Sequence, residues 1–252
     1  MVTTSSRHPI VASARSVPTP PQEAGRAEQH WYLKNCGLLE RLPQPVVRQL
    51  ETGSRYRRFE SGEVIYLPLD RADAVLVVVS GRVKLCHITP DGKQSILALI
   101  EPGEVFGELC LFDTTDREEH AVAMLPTALV LIPQELMYQL MSRQADLALG
   151  ITRLLGLRRL RIERRLKSLL FRSSRDRLLQ LLVELATDYG INTKLGVEIR
   201  IGLSHQDLAS IIGSTRETVT TTLGELQEQE LVTLGRRRIT IRAIERLANL
   251  ID

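Results

Sequence analysis

The stretch Leu203 to Val232, LSHQDLASIIGSTRETVTTTLGELQEQELV, leaves few folds open. Leu208, Ile211 and Ile212 recur at helical spacing and give a short segment one apolar face. Gly213 follows at once, where a helix end favours a residue tolerant of positive φ. Ser214 or Thr215 can then cap a second helix, with Glu217 near enough to complete a capping box. In that helix Val219, Leu223 and Leu226 recur at spacings of four and three and face inward. The outward side of its first turns is Thr215, Arg216, Glu217, Thr220 and Thr221. Two short helices in this order make a helix-turn-helix, whose second helix can enter a major groove by its N-terminal turns. A plain helical hairpin with a solvated Arg–Glu face fits the same spacing.

The flanking sequence favours the nucleic-acid alternative. Arg236, Arg237 and Arg238 follow Gly235 between the apolar triplets Leu231-Val232-Thr233 and Ile239-Thr240-Ile241, the pattern of a β-hairpin wing. Three arginines at such a tip suit phosphate contacts. Arg216 can take guanine O6 and N7 with both arms of its fork, and Glu217 can accept from cytosine N4. The charge is uneven along the chain. Residues 1–152 hold 15 basic and 18 acidic side chains, a balance of −3, whereas residues 153–252 hold 18 and 12, a balance of +6. The basic half is the one with the helix-turn-helix, as a polyanion partner requires.

With STRETV preceded by LSHQDLASIIG and followed by the Arg-rich hairpin, the segment resembles the DNA-binding domain of the CRP/FNR family of transcription factors. The resemblance runs from about Trp31 to the C-terminus and implies that Arg216 and Glu217 read bases. The expected DNA-contacting set is Ser204, Gln206, Ser214, Thr215, Arg216, Glu217, Thr220, Thr221, Arg236, Arg237 and Arg238. Thr221 stands where the family often has a third reading Arg, so one base pair should be read more loosely.

The remainder of the chain suits an α+β fold. Met1 to His30 lacks apolar periodicity, carries Pro9, Pro18, Pro20 and Pro21, and reads as a disordered tail over 1–30. Trp31 to Leu39 and Pro45 to Thr52 read as short helices. From Arg55 to Pro133, short apolar runs alternate with turns at Gly62, Gly81, Gly92 and Gly103, which predicts a small sandwich or barrel. Val75 to Val79 and Ile96 to Ile100 are nearly all apolar and predict covered strands. The resemblance implies an eight-stranded, cyclic-nucleotide-binding-like β-roll, within a sensor domain over 31–143. Gln134 to Met141 reads as a short helix and Asp146 to Phe171 as a long one, striped with Leu147, Ile151, Leu154, Ile162, Leu166 and Leu169. A helix of that length needs a partner along its stripe. Its own roll can serve. The resemblance implies the same helix of a second copy, a homodimer through 144–172. Arg158 falls on the stripe and calls for a buried anion. After Ser173-Ser174 come a helix over Asp176 to Tyr189, a strand over Val197 to Ile201, and a last helix over Ala243 to Ile251. These belong to a winged helix-turn-helix domain over 173–252.

Pro102 to Met124, PGEVFGELCLFDTTDREEHAVAM, resembles the ligand-binding cassette of the same family. The effector set read from it is Phe106, Gly107, Glu108, Leu109 and Arg117, joined by Arg158 and Glu163 from the long helix. Glu108 fits the residue that holds a ribose hydroxyl in cyclic AMP receptors. An ungapped match, however, puts Glu118 and Glu119 where an Arg and a Ser or Thr hold the cyclic phosphate, and two carboxylates repel it. Ile162 and Glu163 also replace the adenine-contacting Thr and Ser. The global nitrogen regulator branch has DR..HAVA in its cassette, matched by Asp116-Arg117 and His120-Ala121-Val122-Ala123. It also carries an Arg and a Glu five apart, matched by Arg158 and Glu163. There these residues hold 2-oxoglutarate, and two guanidinium forks suit a dianion. Three effectors thus stay open: a 2-oxoglutarate-like acid, cyclic AMP, or none, with Arg117, Arg158 and Glu163 as an internal salt-bridge network.

Cys36, Cys86 and Cys110 are isolated from one another, as expected of reduced, buried thiols. A four-iron cluster needs four Cys ligands. His8, His30, His87, His120 and His205 form no H-x-H or H-x-x-x-H pair, so no metal site and no enzyme on a cupin-like barrel is supported. A ligand-sensing module without DNA work is disfavoured by the Arg-rich wing. The expected partners are double-stranded DNA, a second copy and RNA polymerase. No membrane role is expected, because no run is apolar enough, and the compartment expected is the cytoplasm.

Overall fold

The computed structural model describes residues 42–112 and 115–251. The tail, the helix expected over Trp31 to Leu39, and Cys36 lie outside the described residues. Helix α1 (Gln44–Gly53) leads into eight strands: β1 (Arg55–Phe59), β2 (Val64–Tyr66), β3 (Ala74–Ser80), β4 (Val83–Ile88), β5 (Gln94–Ile100), β6 (Val105–Phe106), β7 (His120–Ala123) and β8 (Thr127–Pro133). They form two four-stranded sheets, ordered β1-β8-β3-β6 and β2-β7-β4-β5, which face each other as a roll. Gly62, Gly81, Gly92 and Gly103 close the turns with φ of 82–86°. At Gly81 a Cβ would meet Pro126 O at 2.5 Å, so only glycine fits there. Ala74 to Val79 is buried throughout, as its apolar run predicts. Strand β5 departs from that expectation. It is an edge strand, Leu97 is half exposed, and Leu99 packs on the C-terminal domain instead of inside the roll.

Helix α2 (Gln134–Arg143) is followed by the long helix α3 (Ala145–Phe171). Leu147 and Ile151 are fully buried and Leu154 and Leu155 pack on the roll. Leu149, Leu157, Leu160, Leu170 and Phe171 are exposed, and so are Ile162, Leu166 and Leu169 of the expected stripe, 41% or more each. At about 100° per residue, Leu149, Leu160 and Phe171 lie on the side of α3 opposite Leu147 and Ile151.

After Ser173, whose hydroxyl caps it, α4 (Ser174–Tyr189) opens the C-terminal domain. There follow β9 (Gly190–Thr193), β10 (Gly196–Ile199), α5 (His205–Ile212), α6 (Arg216–Glu228), β11 (Val232–Gly235), β12 (Arg238–Ile241) and α7 (Ile244–Ala248). The strands form one sheet ordered β11-β12-β10-β9. Two sequence readings need correction here. The strand expected over Val197 to Ile201 ends at Ile199, with Ile201 buried in the following loop. It also has a hairpin partner, β9, which the sequence reading missed. The last helix is shorter than expected, five residues. Leu178, Leu182, Leu208, Val219, Leu223, Leu226 and Ile241 converge in one core.

Candidate nucleic-acid interface and effector pocket

Helices α5 and α6 meet at Gly213, which has φ of 64° and ends α5. Val219, Leu223 and Leu226 are each 0% exposed and fix the depth of α6 against α4 and α5. Their burial turns Arg216, Glu217, Thr220 and Thr221 outward, and all four are exposed. Thr215, not Ser214, caps α6, accepting from Thr218 N at 3.2 Å. The capping box expected with Glu217 is therefore absent, because Thr218 occupies the third helical position. A reciprocal box occurs instead on α5, where Ser204 Oγ accepts from Asp207 N and Asp207 Oδ2 accepts from Ser204 N. Glu217 still benefits from the helix start: its own backbone N–H and the Thr215 hydroxyl hold its carboxyl below the usual range. Thr220 Oγ1 donates to Arg216 O at 2.8 Å and lies 2.9 Å from His205 Nδ1, a neighbour the sequence reading did not include. Gln206 is exposed and Ser214 half-buried on the same side of the motif.

The wing forms as expected. Gly235 pairs with Arg238, so the loop is the two residues Arg236 and Arg237. All three arginines are exposed, and Arg237 has φ of 55°. The arrangement offers one fork and one carboxylate from a helix start, hydroxyls beside them, and three cations on a hairpin tip. That combination can serve base edges and phosphates together.

In the sensor domain, Gly107 adopts φ of 69° and starts a short 3-10 turn over Glu108–Leu111. Phe106 is fully buried, Glu108 is 2% exposed, and Leu109 is 40% exposed. Arg158 reaches down from α3 to form an ion pair with Glu108 Oε1 and donates to Val105 O. Glu108 is thus the buried anion that the position of Arg158 demands. Its other oxygen, Oε2, is buried without a hydrogen-bond partner among the described residues. Arg117 is 7% exposed. It donates to Gly107 O at 2.8 Å and to Ala74 O at 2.6 Å, and stacks 4.6 Å over the Tyr66 ring. Tyr66 in turn donates to Glu119 Oε1 at 2.6 Å, and burial with that carboxylate pushes its phenol far above the usual range. Glu163 does not join this group. It pairs with Arg159 at 2.9 Å, one turn away on an exposed face of the same helix. The single network expected of Arg117, Arg158 and Glu163 is therefore three separate sets of contacts. The space left among Ala72, Gly107, Cys110, Arg117, Glu118 and Glu119 is about 10 Å³, room for one water molecule. A larger cleft of about 710 Å³ between β5, α3 and α4 is lined by none of the expected effector residues.

The two domains are joined by cations that the sequence reading passed over. Arg165 donates to Ile211 O at 2.6 Å and to Ile96 O, tying α3 to the end of α5 and to β5. Burial lowers its pKa. Arg82 pairs with Glu101, donates to Ile201 O at 3.0 Å and lies over the Tyr189 ring. Lys84 stands 3.7 Å from Asp207. A signal was present: Ile151, Arg158 and Arg165 are seven apart and so share one side of the helix.

Comparison with known proteins agrees with this layout. Residues 56–144 match the family model of the cyclic nucleotide-binding domain, and residues 176–250 match that of the Crp-like helix-turn-helix domain. The chain is 37% identical over 201 residues to the global nitrogen regulator of Synechococcus elongatus, covering 78% of this chain and 90% of that protein. This chain belongs to the CRP/FNR family of transcription regulators. Among other CRP/FNR members, it is 31% identical over 186 residues to the cyclic AMP receptor protein of Thermus thermophilus, covering 74% of this chain and 83% of that one. FixK2 of Bradyrhizobium japonicum shares the fold, with a TM-score of 0.71 at 24% identity over 79% of this chain and 98% of that structure. Among the described residues no helix is long and apolar enough to cross a membrane, and no group of three or more His, Cys, Asp and Glu is placed to hold a metal.

Proposed function

We propose that this CRP/FNR regulator binds palindromic operators as a homodimer and reads each half-site with Arg216 and Glu217. The observation that carries this is the exposure of both side chains at the capped start of α6, above a core that fixes the helix. Ser214, Thr215, Thr220 and Thr221 line the same turns, Ser204 and Gln206 flank the neighbouring backbone, and Arg236, Arg237 and Arg238 take phosphates beyond it. The exposed apolar side of α3, through Leu149, Leu157, Leu160 and Phe171, supports pairing with a second copy. Pairing sets two recognition helices about 34 Å apart, one turn of duplex. The working units are then a tail over 1–30, a sensor over 31–143, a dimerisation helix over 144–172 and a DNA-binding domain over 173–252.

On this reading the protein is a cytoplasmic regulator that acts through RNA polymerase and catalyses no reaction. The global nitrogen regulators and the cyclic AMP receptor it resembles suggest three alternatives: a small dicarboxylic acid such as 2-oxoglutarate, cyclic AMP, or no effector. The candidate contacts are Phe106, Gly107, Glu108, Leu109, Arg117, Arg158 and Glu163. Glu118 and Glu119 beside the small space disfavour a cyclic phosphate. Titration of the protein against selected palindromic duplexes at several salt concentrations tests the DNA reading. A log-linear loss of affinity with salt and a preference of about a thousandfold over random DNA is expected. Equal affinity for all duplexes would refute it.

A further inference from the structure

We propose that the cleft of about 710 Å³ between β5, α3 and α4 binds a medium-chain aliphatic monocarboxylate, and that its occupancy changes the affinity for DNA. The coupling to DNA rests on the DNA-binding reading, whereas the binding itself does not. Arg161, Arg164, Arg165 and Ser168 recur at helical spacing, so one face of α3 forms one wall. Leu181, Glu184, Leu185 and Asp188 do the same on α4. The edge of β5 and the end of α5 complete the cleft. The walls are tied at both ends. Arg165 donates to Ile96 O and Ile211 O, and Arg177 donates to Ile212 O at 2.8 Å. At the other end Arg82 holds Glu101 and lies over the Tyr189 ring. The space is therefore a product of how the two domains dock. Its volume falls in the range of small-molecule sites, about 300–1,000 Å³, which favour domain boundaries.

The charges narrow the ligand. Arg161, Arg164, Arg165 and Arg177 all line the cleft, and none forms an ion pair with a carboxylate among the described residues. Arg165 and Arg177 donate to backbone oxygens and hydroxyls, so their charge is not neutralised. Arg161 and Arg164 are exposed and hold no partner among the described residues. Two unengaged forks can meet one anionic head, with the Ser168 hydroxyl one turn further on. The acids stand apart, Glu184 and Asp188 on the later turns of α4 and Glu101 and Glu104 around the link from β5 to β6. They repel any second or third negative charge, so a single carboxylate suits the site better than a dianion or a polyphosphate. Between the two sets lie Leu97, Leu169, Leu181 and Leu185, and Leu97 is 50% and Leu169 41% exposed. An aliphatic chain would cover this apolar surface while its head met the arginines. Such a chain lies between α3 and α4 and sets how far α4 stands from the roll. Helices α5 and α6 share a core with α4 and move with it.

The test is calorimetry of the full chain with octanoate and decanoate, both below micelle-forming concentrations. One ligand should bind per protomer, and the two added methylenes should tighten binding about tenfold. Arg161→Ala combined with Arg164→Ala changes only exposed side chains and should weaken decanoate by about tenfold or more. Leu97→Asp puts a charge in the path of the chain and should abolish the heat, with circular dichroism unchanged. Leu170→Glu, about 180° round α3 from Arg161, should leave decanoate binding within about twofold. In gel shifts on a selected palindrome, saturating decanoate should change the affinity by about fivefold or more, and Leu97→Asp should remove that response. The proposal is overturned by the absence of one-to-one heat, by equal heat from the double arginine variant, or by tighter binding of decylamine than of decanoate. A DNA affinity that saturating decanoate leaves unmoved also overturns it. If no duplex is bound under any condition, the DNA-binding reading fails, while the calorimetry still decides the site.

Discussion

Replacing Arg216 by Ala isolates the reading step from the fold. Arg216 is exposed at the first turn of α6, and its backbone oxygen accepts from Thr220 Oγ1 at 2.8 Å. Removing the side chain leaves Thr215 as cap and Val219 as anchor, so stability should move by no more than about 0.5 kcal/mol. Binding should respond quite differently. A bidentate Arg–guanine contact discriminates by about 1–3 kcal/mol. A dimer carries two copies, so the loss on a palindrome is about 2–6 kcal/mol if the half-sites act independently, a factor of about thirty or more. Competition gel shifts against random duplex separate this from simple loss of charge, because random duplex should be bound nearly as before. Arg237→Ala is the matched control. Its side chain sits on the wing tip, so it should weaken specific and random duplex alike and flatten the salt dependence by about one unit per subunit. If Arg216→Ala left the ratio of specific to random binding unchanged, the assignment of Arg216 as a base reader would be wrong.

Leu160→Glu places a charge on the exposed apolar side of α3 and should shift the mass in light scattering from twice 28.3 kDa to 28.3 kDa, with the roll intact by circular dichroism. Persistence of a dimer would remove α3 as the pairing element. Arg165→Ala removes the donor to Ile96 O and Ile211 O and should loosen the docking of the two domains by about 1.5–3 kcal/mol; calorimetric unfolding should then split into two transitions, and a single unshifted transition would refute the linkage. Cys86 and Cys110 are both buried, and desolvation raises their thiols, that of Cys110 to about 11. Both shifts reduce the thiolate fraction at pH 8, and burial blocks access, so both should resist labelling at pH 8 in a Cys36→Ser background and react together on unfolding. Rapid native labelling of either would contradict the burial.

The helix-turn-helix was legible because its signals are local: one glycine at a forced left-handed position and apolar residues at fixed spacing. Turn glycines in the roll were legible for the same reason. What the sequence hid depends on distance. Arg158 plainly needed an anion, but which acid lay beneath it was settled only by the fold, fifty residues away at Glu108. Glu163 was grouped with Arg158 by resemblance, whereas five residues set them about 140° apart around the helix and Arg159 claims Glu163. Strand β9 escaped because GINT is short, exposed and polar, and is a strand only by pairing with β10. Leu97 and Leu99 read as interior, but at the edge position of β5 Leu97 is half exposed and Leu99 packs on the neighbouring domain.

The wing tip places a positively charged side chain where the backbone favours glycine or asparagine: Arg237 sits at φ of 55°. Holding an ordinary residue there costs about 1–2 kcal/mol. Glycine at 237 would thus make a sturdier hairpin with a weaker grip on a polyanion. Thermal resistance and affinity would move in opposite directions on changing this one residue, so a screen for heat tolerance alone would select against the arginine.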